Sequence, residues 1–148
     1  MANSRKKLKQ MKSIVKVRQV QLNTEVQTLS SIRHLKLEAL KELKHNEKLY
    51  IEGVDKLNIE RQSQNRSQLG PLESSLDFVK AKWERCMREV RRIEDRERAQ
   101  IAQVLNAELN LKSVEKLSDK YEQEVIQLAQ QQEQKAIDEI ALRKFHKN

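Results

Sequence analysis

The chain has 148 residues, of which 35% are charged and 3% aromatic, with two glycines, one proline and one cysteine. Side chains able to fill a thick core are too few for a two-layer α/β or an all-β fold, while helix formers dominate and breakers are nearly absent. A net charge of +8 asks for an acidic counterpart, whether nucleic acid, anionic lipid or an acidic protein surface.

The first stretch is basic: Arg5, Lys6, Lys7, Lys9, Lys12, Lys16 and Arg18 all precede the first acid, Glu25. Polar turn formers, Gly70 and the single proline, Pro71, then gather between residues 62 and 71. Pro71 suits the first turn of a new helix, where its missing N–H would have no partner anyway. Gly53, the other glycine, is tolerable inside a long helix at a cost of about 1 kcal/mol. The chain is therefore expected to be all-α, one domain over 1–148, with a helix over about 4–62, a tip over about 63–70 and a helix over about 71–145. Further along, mixed-sign runs such as Arg91-Arg92-Ile93-Glu94-Asp95-Arg96-Glu97-Arg98 read as a solvated helix face.

Heptad spacing says how the helices meet. Steps of seven pass through Leu8, Val15, Leu22, Leu29, Lys36, Leu43, Tyr50 and Leu57 in the first helix. In the second they pass through Val79, Cys86, Ile93, Gln100, Ala107, Val114, Tyr121 and Leu128, with a companion column Leu76, Trp83, Val90, Glu97, Val104, Leu111, Ser118 and Val125. Apolar positions alternating by three and four over this length predict a long antiparallel two-helix coiled-coil hairpin. Folding the chain at Gln68 sets Leu57 against Val79, Tyr50 against Cys86, Leu43 against Ile93 and Leu8 against Leu128. The same register sets the two polar members, Lys36 and Gln100, against each other as a layer that disfavours slipped pairings. It also places small Gly53 opposite large Trp83, and Arg18 and Glu25 opposite Ser118 and Leu111.

No catalytic constellation emerges. His34, His45 and His146 lack partners at metal-ligand spacing, Cys86 falls on the seam as a small inert residue, and two isolated glycines make no phosphate loop. The chain is expected not to be an enzyme, with no cofactor, metal or small-molecule substrate. Apolar runs no longer than Leu49-Tyr50-Ile51 or Ile140-Ala141-Leu142 fall short of the about 20 residues a membrane helix needs and of a signal peptide's apolar core. A single cysteine excludes an internal disulfide and fits a reducing compartment, so a cytoplasmic location is expected. Zipper-type DNA readers also join basic residues to heptads. Here, though, the basic stretch overlaps the seam at Leu8 and Val15, and aromatic stacking platforms are missing, which argues against nucleic acid.

The C-terminal stretch Glu133-Gln134-Lys135-Ala136-Ile137-Asp138-Glu139-Ile140-Ala141-Leu142-Arg143-Lys144-Phe145 resembles the ending of the FliJ family of flagellar export proteins. That family often closes on Glu-Gln-Lys, Asp-Glu, Ile-Ala and a basic pair. The segment from Ala107-Glu108-Leu109 to Val114-Glu115-Lys116-Leu117 looks like the family's second helix. The resemblance implies an antiparallel coiled-coil stalk, related to those of virulence-type secretion systems, that sits in the hexameric ring of the type III export ATPase. It implies contacts with the export-gate membrane protein and with export chaperones, at the cytoplasmic face of the export apparatus. The tip and first half carry no motif of the family, so no contact is transferred there.

The residues themselves supply a candidate end for such a contact. In the register centred on Gln68 the last residues extend past Met1, carrying Ile137, Ile140, Leu142 and Phe145 among Arg143, Lys144 and Lys147. With Arg5, Lys6, Lys7 and Lys9 at the same end they make a basic, partly apolar plug, the expected ATPase-binding surface. Two other readings stay open: a structural or adaptor coiled coil unrelated to secretion, and a basic nucleic-acid-binding helical protein.

Overall fold

The computed structural model describes residues 2–63 and 66–147 and is an all-α helical hairpin. Helix α1 runs Ala2–Gln62 and helix α2 runs Leu69–Lys147, and the two pack against each other with no strand among the described residues. Both boundaries at the tip follow local chemistry. Ser63 N donates to Glu60 O over 3.1 Å, a tightened last turn, and Leu69 N donates to Arg66 O over 3.2 Å. Leu72 N then donates to Gln68 O over 3.0 Å, so Pro71 lies among the opening residues of α2 whose N–H groups have no intrahelical acceptor. Leu69 and Gly70, expected in the tip, join α2; Gln64 and Asn65 of that tip lie outside the described residues.

The chain divides into two compact units. One joins Met1–Glu25 to Val104–Asn148, and the other spans Val26–Gln103. In the unit spanning Val26–Gln103, Ile32, Leu57, Val90 and Ile93 are buried, and Leu29, Lys36, Leu43, Tyr50, Val79, Cys86 and Gln100 are half-buried. In the other, Leu111 and Ser118 are buried and Leu8, Val15, Leu22, Ala107, Val114, Tyr121 and Leu128 are half-buried. Each helix therefore closes one stripe and leaves the rest to water, since a two-helix contact can cover only the facing positions. Arg18, on that stripe, turns along its own helix, its Nη1 donating to Gln21 Oε1 over 3.1 Å.

The seam columns stand where the heptads put them, but the pairing across the seam corrects the register centred on Gln68. Tyr50 stacks on Trp83, with ring centroids 5.2 Å apart and planes 24° apart, rather than facing Cys86. Asn46 reaches Cys86, its Nδ2 lying 3.4 Å from the sulfur. Lys36 Nζ meets Glu97 Oε1 at 3.1 Å, one turn before Gln100. At Gly53, a Cβ would lie 2.8 Å from Leu76 Cδ1, so Leu76 and not Trp83 occupies the space of the missing side chain. Every departure has one direction: the α2 partner sits nearer the tip by three residues or more. The physical reason is that a repeated apolar column fits almost equally well after a slip, and the polar and aromatic members decide. A carboxylate neutralises Lys36 better than the amide of Gln100, and a stacked ring pair adds about 0.5–1.5 kcal/mol beyond its buried area.

Candidate partner-binding surfaces

In the unit of Met1–Glu25 and Val104–Asn148, two surfaces carry the candidate residues. On α1, Arg5, Lys9, Lys12 and Lys16 recur every three or four residues and so share one face. With Leu8 and Ser13 they line an open groove of about 410 Å³. Lys6 and Lys7 are exposed beside it. Four cations spaced by one helical turn form a linear strip that attracts an extended acidic surface, with strength that falls as salt rises.

On α2, burial ends at Leu128, and every residue from Ala129 to His146 is exposed. The helix continues because its composition favours it, and Gln134 Nε2 donates to Asp138 Oδ1 over 3.1 Å along one face. Ile137, Ile140 and Leu142 are each more than half exposed, and Phe145 is 80% exposed. The Phe145 ring meets His146 edge-on, centroids 6.2 Å apart. Arg143 and Lys144 are exposed among them.

The face these residues share differs from that of a seam lacking its partner. Continued past Leu128, the two seam columns read Gln132, Lys135, Glu139, Leu142 and His146, nearly all polar. At 100° per residue, Ile137, Ile140, Ala141 and Phe145 fall on the side away from that seam, with Lys144 in their midst. The apolar stripe is thus a second face. Continuing the columns past Leu128 and Val125 could have found it.

In the unit Val26–Gln103 the polar members of the seam are specific. The Glu97 side chain, 16% exposed, accepts from Lys36 and lies 3.5 Å from Arg33 Nε. The Lys36 hydrogen bond, helped by the charges of Lys36 and Arg33, holds this carboxyl below its ordinary value of 4.5 against an opposing loss of solvation. Asn46, 1% exposed, is a residue the apolar pattern passed over; its signal was an amide four residues before Tyr50 and so on the seam side of α1. No group of three or more His, Cys, Asp or Glu among the described residues could hold a metal ion, and no described helix is long and apolar enough to cross a membrane. Comparison of the chain with protein-family models, with curated proteins and with solved structures finds no match.

Proposed function

We propose that this chain is a stalk-like component of a flagellar type III export apparatus that binds and stimulates the hexameric export ATPase. In this reading it also links the ring to the export-gate membrane protein and to substrate chaperones, at the cytoplasmic face of the membrane. The observation that carries the reading is the segment Glu133–Phe145, which resembles the FliJ ending and lies on a fully exposed stretch of helix with a basic, apolar face. Chemistry is left to the ring: a stalk couples subunits by contacting them unequally and so biasing their conformations.

ATP hydrolysis by a flagellar export ATPase, titrated with the chain at fixed ionic strength, tests this directly. Stimulation saturating near about one chain per hexamer is the expected result. A chain lacking residues 136–148 is expected to bind the ring more weakly while keeping its helical content in proportion to its length. Equal binding by the truncated chain would reject the terminal contact, and no binding by either would leave an adaptor coiled coil.

A further inference from the structure

In the unit of Met1–Glu25 and Val104–Asn148, the basic strip of α1 has a counterpart on α2. Arg5, Lys9, Lys12 and Lys16 are spaced by four, three and four residues, and so are Glu115, Asp119, Glu122 and Ile126. Asp119 and Glu122 are exposed, Glu115 is half-buried and Ile126 is 42% exposed. Each strip also keeps the same place beside the seam. Arg5 and Lys12 directly follow Ser4 and Met11, while Glu115 and Glu122 directly follow Val114 and Tyr121, all four of them half-buried. Equivalent flanks of two antiparallel helices lie on one side, so both strips border the same face of this unit. None of the seven charged side chains is paired with an opposite charge among the described residues.

We propose that this face binds the same face of a second copy of the chain. Run antiparallel, the two strips match position by position: Lys16 with Glu115, Lys12 with Asp119, Lys9 with Glu122 and Arg5 with Ile126 of the other copy. Ile126 then covers the end of the groove where Leu8 and the Arg5 stem lie. A two-fold axis parallel to the helices makes the contact twice, because α1 of each copy faces α2 of the other. Sign as well as spacing selects this occupant. A phosphate backbone or an anionic lipid surface would suit the four cations but would be repelled by three carboxylates on the same face. A second copy satisfies both strips. The paired groups stay near water, so the attraction is modest and weakens as salt rises. The contact involves this chain alone and does not depend on the export ATPase.

Sedimentation equilibrium of the full chain at low and at high salt tests the contact. The unsubstituted chain is expected to show a monomer–dimer equilibrium whose Kd rises at least about tenfold from low to high salt. Two triple variants, Lys9→Glu with Lys12→Glu and Lys16→Glu, and Glu115→Lys with Asp119→Lys and Glu122→Lys, are each expected to be monomeric. Circular dichroism checks that both keep their helices. Mixed in equal amounts they are expected to form a heterodimer, since each contact regains opposite signs. Both variants keep a net positive charge, so bulk attraction between them cannot supply that result. The proposal is overturned by an unsubstituted chain that stays monomeric at low salt up to about 1 mM, or by a dimer indifferent to salt. Variants that still self-associate, or a mixture of helical variants that stays monomeric, overturn it equally.

Discussion

Glu97 shows how one side chain can make the hairpin sensitive to acid. Lys36 Nζ lies 3.1 Å from one carboxylate oxygen and Arg33 Nε 3.5 Å from the other. The hydrogen bond from Lys36 is the chief reason the folded carboxyl titrates below its ordinary 4.5. A depressed folded value means that the ionised pair favours the folded state above the unfolded carboxyl's pKa. That contribution is lost as pH falls through the folded value. Thermal unfolding of the native chain and of Glu97→Gln across this range checks the sign. The native chain is expected to melt higher at neutral pH, and the difference is expected to vanish on acidification; a gap that persists in acid would assign the effect to packing. Asn46 makes the opposite case. Its Oδ1 is buried without a partner among the described residues, so Asn46→Leu is expected to raise stability by about 1–3 kcal/mol in urea unfolding. A single buried amide on a seam costs stability and limits the alternative registers, which is why the same substitution is expected to broaden the choice of pairing.

At the scale of the helices, the seam shows what periodicity carries and what it leaves out. The alternation of three and four placed Leu57, Val90, Ile93 and Leu111 on the covered stripe, where the structure buries them. The breaks near Gln62 and Pro71 were located instead by the polar turn formers and the proline. Register was not legible, because a column of Leu, Val and Ile repeats and a slipped pairing buries similar area. The pairing is decided by the few members that do not repeat: Asn46 with Cys86, Tyr50 with Trp83, Lys36 with Glu97 and Leu76 over Gly53. Likewise the exposure of Ile137, Ile140 and Phe145 was legible from the unequal helix lengths, whereas their separate face stays hidden until the columns are continued past Leu128. Cross-linking distinguishes the two registers. Under oxidation Asn46→Cys is expected to bond to Cys86 within one chain faster than Tyr50→Cys does, since a disulfide requires Cβ atoms about 3.5–4.5 Å apart. Peptide mapping after oxidation reads this out, and preferential linkage of Tyr50→Cys would restore the register centred on Gln68. Gly53 offers a second probe. Replacing Gly by Ala inside a helix is worth about 1 kcal/mol, but the new Cβ must displace Leu76 Cδ1. Gly53→Ala is therefore expected to gain that full amount only in a Leu76→Ala background, which a double-mutant cycle in urea would measure.

The chain as a whole carries +8, and two different forces are available to it for holding a partner. The basic residues Arg5, Lys6, Lys7 and Lys9, on the strip and beside it, act at range and are screened by salt, while Ile137, Ile140 and Phe145 act on contact and are nearly indifferent to salt. If both grip the export ATPase, the two contributions separate experimentally. Changing Ile137, Ile140 and Phe145 together to Gln keeps good helix formers and touches only exposed positions. The thermal midpoint should hardly move, since substitutions away from packed or bonded groups usually lie within about 0.5 kcal/mol. Burying even half of those side chains against a partner would be worth about 2–4 kcal/mol, so the variant is expected to bind the ring at least about tenfold more weakly at every salt concentration. Changing Arg5, Lys6, Lys7 and Lys9 to Gln is expected to do something else: affinity drops at low salt and converges on the native value at high salt, because only the screened part is removed. Binding isotherms of the three chains over a range of salt concentrations give the answer as two slopes and one offset. Three superimposed curves would mean that neither surface of this unit meets the ring. The proposed ATPase contact would then have to be sought on the unit spanning Val26–Gln103 or given up.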